Sequence, residues 1–129
     1  MQEVNDFLNK CVAYYLATVE GDQPRVRPFG TVDIFEGKLY IQTAKSKDVS
    51  KQIQENPKVE LCACDGEKWL RVTGKLVRDD RDEAREAMLA ANESLKDMYH
   101  VGDGIFEVLY LADAACTKYS FTAEPVIIA

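Results

Sequence analysis

Lys45, Lys47 and Lys51 fall within the stretch TAKSKDVSKQIQENPKVEL, residues 43–61, of a 129-residue chain whose formal net charge is −6. Between Pro24 and Lys51 six basic residues (Arg25, Arg27, Lys38, Lys45, Lys47, Lys51) face three acids (Asp33, Glu36, Asp48), so this window is +3 and the remainder is −9. The period of the apolar positions changes after Thr43, with Val49 and Ile53 four apart. A helix is therefore expected there, with Ser46 as its N-cap and Asn56-Pro57 as its stop. The first amides of a helix lack internal partners, and the helix dipole adds positive potential at that end. Lys45, Ser46 and Lys47 around such a start would offer amides, a hydroxyl and two ammonium groups to a dianion such as phosphate. The competing reading is a solvated basic patch on a surface helix.

Other residues with chemical potential are fewer. His100 is the single histidine, in MYHVGDG, and reads as surface structure more readily than as a general acid. The four cysteines (Cys11, Cys62, Cys64, Cys116) include no CxxC pair and form no Cys/His cluster, which speaks against zinc. Cys62 and Cys64 would share one face of a strand, and all four read as reduced packing residues. No Ser/His/Asp or Cys/His set can be assembled for nucleophilic catalysis.

These residues need a frame. The length and a 47% hydrophobic, 29% charged composition fit one soluble globular domain over residues 1–129. That length is marginal for a core that also encloses a cofactor, so a site shared by two copies is expected. Apolar runs fall short of the roughly 18 residues of a membrane span, and MQEVNDFLNK lacks a signal-peptide core. A cytoplasmic location follows as the default. The acidic balance argues against nucleic acid, whereas a local basic island suits one small anion.

Val4, Phe7, Leu8 and Cys11 carry helical spacing at the N-terminus. VAYYLATV (12–19) reads as a strand in which Tyr14 and Tyr15 point to opposite faces. RVRPFGTVDIF (25–35) reads as a second strand, turned by EGK into LYIQT (39–43). KVELCAC (58–64) and WLRVTGKLVR (69–78) follow as a pair. DDRDEAREAMLAANESL is the clearest helix, capped by Asp79 or Asp80, with Ala84, Ala87, Met88, Ala91 and Leu95 as its stripe. IFEVLYL (105–111) and CTKYSF (116–121) read as a closing hairpin. About seven strands joined by antiparallel turns point to a small barrel, and no GxGxxG supports a dinucleotide fold.

Taken in order, YYLATVEGDQPRVRPFG, LYIQTAKSKDVSKQIQENPKVEL and WLRVTGKL resemble the pyridoxamine 5'-phosphate oxidase-like family of FMN-binding split barrels. The likeness is to its short members, described as oxidase-related or nitroimidazole-resistance-like, and runs from about Val4 to Phe121. It implies a mainly β fold, a six- to seven-stranded antiparallel split β-barrel, forming a homodimer with two FMN sites at the interface. Carried over by position, it places Arg27 at the FMN phosphate and Pro28, Phe29 and Gly30 along the ring system. It places Gln42 and Thr43 near the ribityl phosphate, Lys47 at a phosphate-binding position and Trp69 near the isoalloxazine. Two departures stand out: Lys-Ser-Lys followed by Asp48 replaces the serine-arginine-lysine run of full-length oxidases, and their C-terminal substrate segment is missing. Pyridoxamine phosphate itself is therefore not the expected substrate.

A flavin supplies the reactive atom, so the protein need only position substrate and tune the ring. Arg71 could stabilise a reduced ring but reads equally as a solvated strand residue. The expected activity is an FMN-dependent oxidoreductase passing hydride from NADH or NADPH to a small, planar acceptor. The alternative is a non-catalytic protein that holds FMN, another cofactor or haem for storage or sensing.

Overall fold

Alternating side chains set the frame. In β5 (Lys58–Cys64) Val59, Leu61 and Ala63 turn inward, while Glu60, Cys62 and Cys64 turn out. Its antiparallel partner β6 (Lys68–Asp79) buries Leu70 and Val72, then slips register between Thr73 and Lys75 and buries Leu76. Gly74 sits at that irregularity. A Cβ there would lie 2.7 Å from Leu111 Cγ and 2.8 Å from the Ala112 carbonyl oxygen, so no side chain fits.

The computed structural model describes residues 1–129. The remaining elements are α1 (Gln2–Lys10), β1 (Tyr14–Glu20), β2 (Gln23–Phe29), β3 (Asp33–Phe35), β4 (Lys38–Ala44), α2 (Asp48–Glu55), α3 (Asp82–Ala91), a 3-10 turn at Glu93–Asp97, β7 (Phe106–Ser120) and β8 (Val126–Ile127). All pairings are antiparallel, in the order β2-β1-β5-β6-β7-β4-β3, with β8 against β7. The sheet curls around the core without closing, a split β-barrel. The expected six to seven strands become eight: the 25–35 run divides into β2 and β3, the two closing segments merge into β7, and the short β8 is added. Val4, Phe7 and Leu8 of α1 pack into the main core together with Leu16, Leu61 and Val72.

Three expectations need correction. The run 25–35 is two strands, not one: β2 pairs with β1, residues 30–32 cross over, and β3 pairs with β4. The closing hairpin is one strand of 15 residues, bent at Asp113 (φ 54°) without reversing. Neither Asp79 nor Asp80 caps α3; Arg81 stands at the N-cap without a side-chain cap bond, and Ala91 of the proposed stripe is exposed while Leu89 is buried.

Asp79 is instead a buried anchor. Tyr40 Oη donates to its Oδ2 at 2.7 Å, and Arg81 donates from Nη2 at 2.9 Å and from its backbone at 3.0 Å. Arg81 also grips Glu36 through both terminal nitrogens, at 2.9 and 3.0 Å. The Arg81 guanidinium holds the Asp79 carboxyl well below the usual carboxylate range. Burial, reinforced by the bond to Asp79, pushes Tyr40 up to about 12. The sign follows for each group. The stability contributed by Asp79 is complete above its unfolded pKa of about 4 and is lost as pH falls below it. That of Tyr40 is complete below about 10 and lost above. Thermal midpoints of wild type and Asp79→Asn should therefore differ most at neutral pH and converge under acid; a gap independent of pH would refute the arrangement.

Candidate functional site

The start of α2 is positioned by two polar ties beneath it. Its inner face buries Val49 and Ile53 as the spacing predicts, along with Ser50 and Gln52. Ser50 Oγ donates to Glu107 Oε1 at 2.7 Å, and Glu107 Oε2 lies 2.6 Å from Arg78 Nε in an ion pair whose carboxylate is fully enclosed. Gln52 Oε1 accepts from Thr18 Oγ1 at 2.6 Å and from Arg27 Nη2 at 2.7 Å. The helix N-terminus is thereby fixed beside β2 and β4.

A cleft of about 250 Å³ opens between these elements. Arg27, Pro28, Phe29 and Gly30 form one wall; Gln42, Thr43, Lys47 and Val49 form the other. A second hollow of about 490 Å³ continues along the α2 start, sharing Arg27, Lys47 and Val49 and adding Glu20, Arg25, Val26, Asp48 and Gln52. Lys47 is exposed and enters no ion pair, while Arg25 is committed to Glu20 at 2.8 Å. Arg27 is half-buried and has no carboxylate partner; all its bonds go to Leu16 O, Thr18 Oγ1 and Gln52 Oε1. Burial, and then the charge of Arg25, pull the Arg27 guanidinium below its usual pKa, the direction expected of a cation without an anion beside it.

Backbone donors complete the basic corner. The amides of Lys45 and Lys47 are spent on Ile105 O and Ala44 O, and that of Ser50 on Lys47 O. The amides of Ser46, Asp48 and Val49 meet no protein acceptor. Deeper in the cleft, Gln42 donates from Nε2 to Thr31 Oγ1 at 3.1 Å, leaving its Oε1 buried without a donor. The corner offers charge and amides to an oxyanion.

Seven of the ten residues marked from the sequence meet here: Arg27, Pro28, Phe29, Gly30, Gln42, Thr43 and Lys47. Lys45 and Ser46 are exposed on the preceding turn and line neither hollow; Ser46 is also not the N-cap, which is Lys47 in extended geometry. Trp69 lies across the sheet, stacked on Tyr119 (5.6 Å between centroids, 11° between planes) and near Phe121. Arg71 pairs with Glu60 at 2.8 Å and caps the Tyr119 ring, away from the cleft. His100 is exposed in the loop before β7, with its backbone N–H on Asp103. Tyr14 is buried and donates to Thr31 O at 2.7 Å, while Tyr15 faces out, as alternation requires. Thr18, Val49 and Gln52 were not singled out from the sequence; Val49 was placed only as a helix core position.

A curled, unclosed antiparallel sheet with a basic cleft between two strands and a helix start defines a split-barrel protein. A family model for pyridoxamine 5'-phosphate oxidase matches residues 1–110, and the chain belongs to that family. It is similar to a NimC/NimA family protein of Clostridium acetobutylicum, at 48% identity and a TM-score of 0.93, covering 99% of this chain and 93% of that one. It shares the fold of General Stress Protein 26 of Bacillus anthracis (18% identity, TM-score 0.75, 98% and 97% covered). The same fold occurs in a heme binding protein of Mycobacterium smegmatis (16% identity, TM-score 0.76), where the match spans 98% of this chain but 56% of that one. Comparison with curated proteins finds no match. No helix is long and apolar enough to cross a membrane.

Proposed function

We propose that residues 1–129 form one FMN-binding unit in the cytoplasm, acting as an oxidoreductase between NADH or NADPH and a small acceptor. The observation that carries this reading is Arg27, a half-buried guanidinium without a carboxylate, beside the free amides of Asp48 and Val49. A phosphate monoester fits that set, with Lys47 adding charge at the rim. Pro28, Phe29 and Gly30 line the wall along which a ring system would lie. FMN, when bound, supplies the hydride-accepting atom; the protein holds the phosphate, orients the ring and limits water. The cleft residues include no histidine, cysteine, methionine or tyrosine to ligate haem iron, which favours flavin.

The cleft and its continuation are open to the surface of one chain, so a second copy could close them. The outer sheet face exposes Tyr15, Phe121 and Ile127, at 51%, 78% and 81%, around the Trp69–Tyr119 stack. A homodimer on this face would cover these apolar groups and carry Trp69 toward a partner's cleft.

The test is direct: purified protein loaded with FMN should show the flavin band, and the band should bleach on adding NADH or NADPH under nitrogen. A flavin band inert to both donors would leave a binding role, and failure to take up FMN would end the reading. A finer expectation concerns the lysines. Lys47→Ala should weaken FMN about ten- to hundredfold, the worth of one charge-assisted bond of roughly 1.5–3 kcal/mol. Lys51→Ala, exposed and outside both hollows, should change affinity little. Equal effects in a fluorescence titration would contradict the placement.

A further inference from the structure

Arg27 has two hydrogen-bonding edges, and the structure uses them unequally. The end-on edge is occupied: Nη1 donates to Thr18 Oγ1 at 2.8 Å and to Leu16 O at 3.2 Å, and Nη2 donates to Gln52 Oε1 at 2.7 Å. Thr18 Oγ1 closes the ring by donating to the same Gln52 oxygen at 2.6 Å. The Nε–H and the second Nη2–H, which together form the side-on fork of a guanidinium, meet no protein acceptor. Thr18 is 2% and Gln52 6% exposed, so this clamp is built into the interior where β1 meets α2. Gln52 Nε2 points on to Glu20 Oε2 at 3.4 Å, which fixes which way round the amide sits and keeps its oxygen toward Arg27.

We propose that Gln52 and Thr18 are positioning residues: by occupying the end-on edge of Arg27 they aim its side-on fork at two oxygens of a phosphate monoester. This rests on the reading of the cleft as an FMN site and names the device behind its phosphate recognition. A neutral glutamine serves the purpose where a glutamate would not, because a carboxylate at position 52 would neutralise the guanidinium it orients. The planar fork of arginine is what makes orientation matter; a lysine ammonium presents no edge to aim.

The test uses two ligands that differ only in the phosphate, FMN and riboflavin, titrated by flavin fluorescence against wild type, Gln52→Met and Thr18→Val. Wild type should prefer FMN. Each variant should lose about tenfold in FMN affinity, the worth of one misaligned charge-assisted bond, with riboflavin affinity unchanged. In an Arg27→Lys background, Gln52→Met should alter the preference no further. A preference kept in both variants, or equal weakening of both ligands, would overturn the positioning role while leaving the FMN site intact. Wild type that binds neither ligand would instead overturn the functional reading, and the positioning role with it. Thr18→Val is nearly isosteric and preserves the interior should Gln52→Met fail to fold.

Discussion

Arg27→Ala should reduce FMN affinity by about a hundredfold or more, the largest effect of any single change in the cleft. Two charge-assisted hydrogen bonds from one planar group would be lost, each worth roughly 1.5–3 kcal/mol when its partner is ionised. The change also removes the only cation in the cleft that is held in place by protein bonds, since Lys47 is exposed and unpaired. Arg27→Lys should fall between, because it restores charge without the fork. Riboflavin, which carries no phosphate, should bind both variants as it binds wild type. An Arg27→Ala protein whose FMN affinity stays within about threefold of wild type would mean that the phosphate lies elsewhere.

The second large effect concerns stability. Glu107 is 1% exposed and held by Ser50 from α2 and Arg78 from β6. Arg78→Met would leave that carboxylate enclosed with only a hydroxyl for company, at a cost of about 3 kcal/mol. Adding Glu107→Leu to Arg78→Met should recover much of the loss, because two apolar side chains no longer need each other's charge. Urea midpoints for the two singles and the double give the coupling directly. Additive losses would show that Arg78 and Glu107 do not stabilise each other.

Much of this architecture was legible because buried alternation writes itself into sequence. The 58–64 strand was placed to the residue, and the 69–78 strand within one residue at either end, since each carries apolar groups at every second position. Asn56-Pro57 stopped α2 where expected. Local cues failed where tertiary pairing decided the outcome. ADAA near residue 112 looks like a turn, but Asp113 only bends a strand held by β6 on one side. RVRPFGTVDIF is continuous in composition, yet its two halves pair with different partners. Asp79 resembles a helix cap, and Tyr40, from thirty-nine residues away, draws it into the interior.

The cleft was legible in part for the same reason. Arg27 to Gly30 and Gln42 to Lys47 sit on neighbouring segments whose order a family resemblance preserves. Lys45 and Ser46 line neither hollow, a distinction the sequence does not carry because a basic turn looks the same wherever its side chains point. Gln52 carried no signal at all: one glutamine among polar helix residues says nothing until the fold sets it against Arg27 and Thr18.

The unbroken course of β7 ties the molecule's fate together. Phe106 and Val108 near its start belong to the small apolar cluster under α3, and Leu109, Leu111 and Cys116 belong to the large one. Loss of β7 would therefore strip apolar residues from both clusters at once, which couples their stabilities through a single strand.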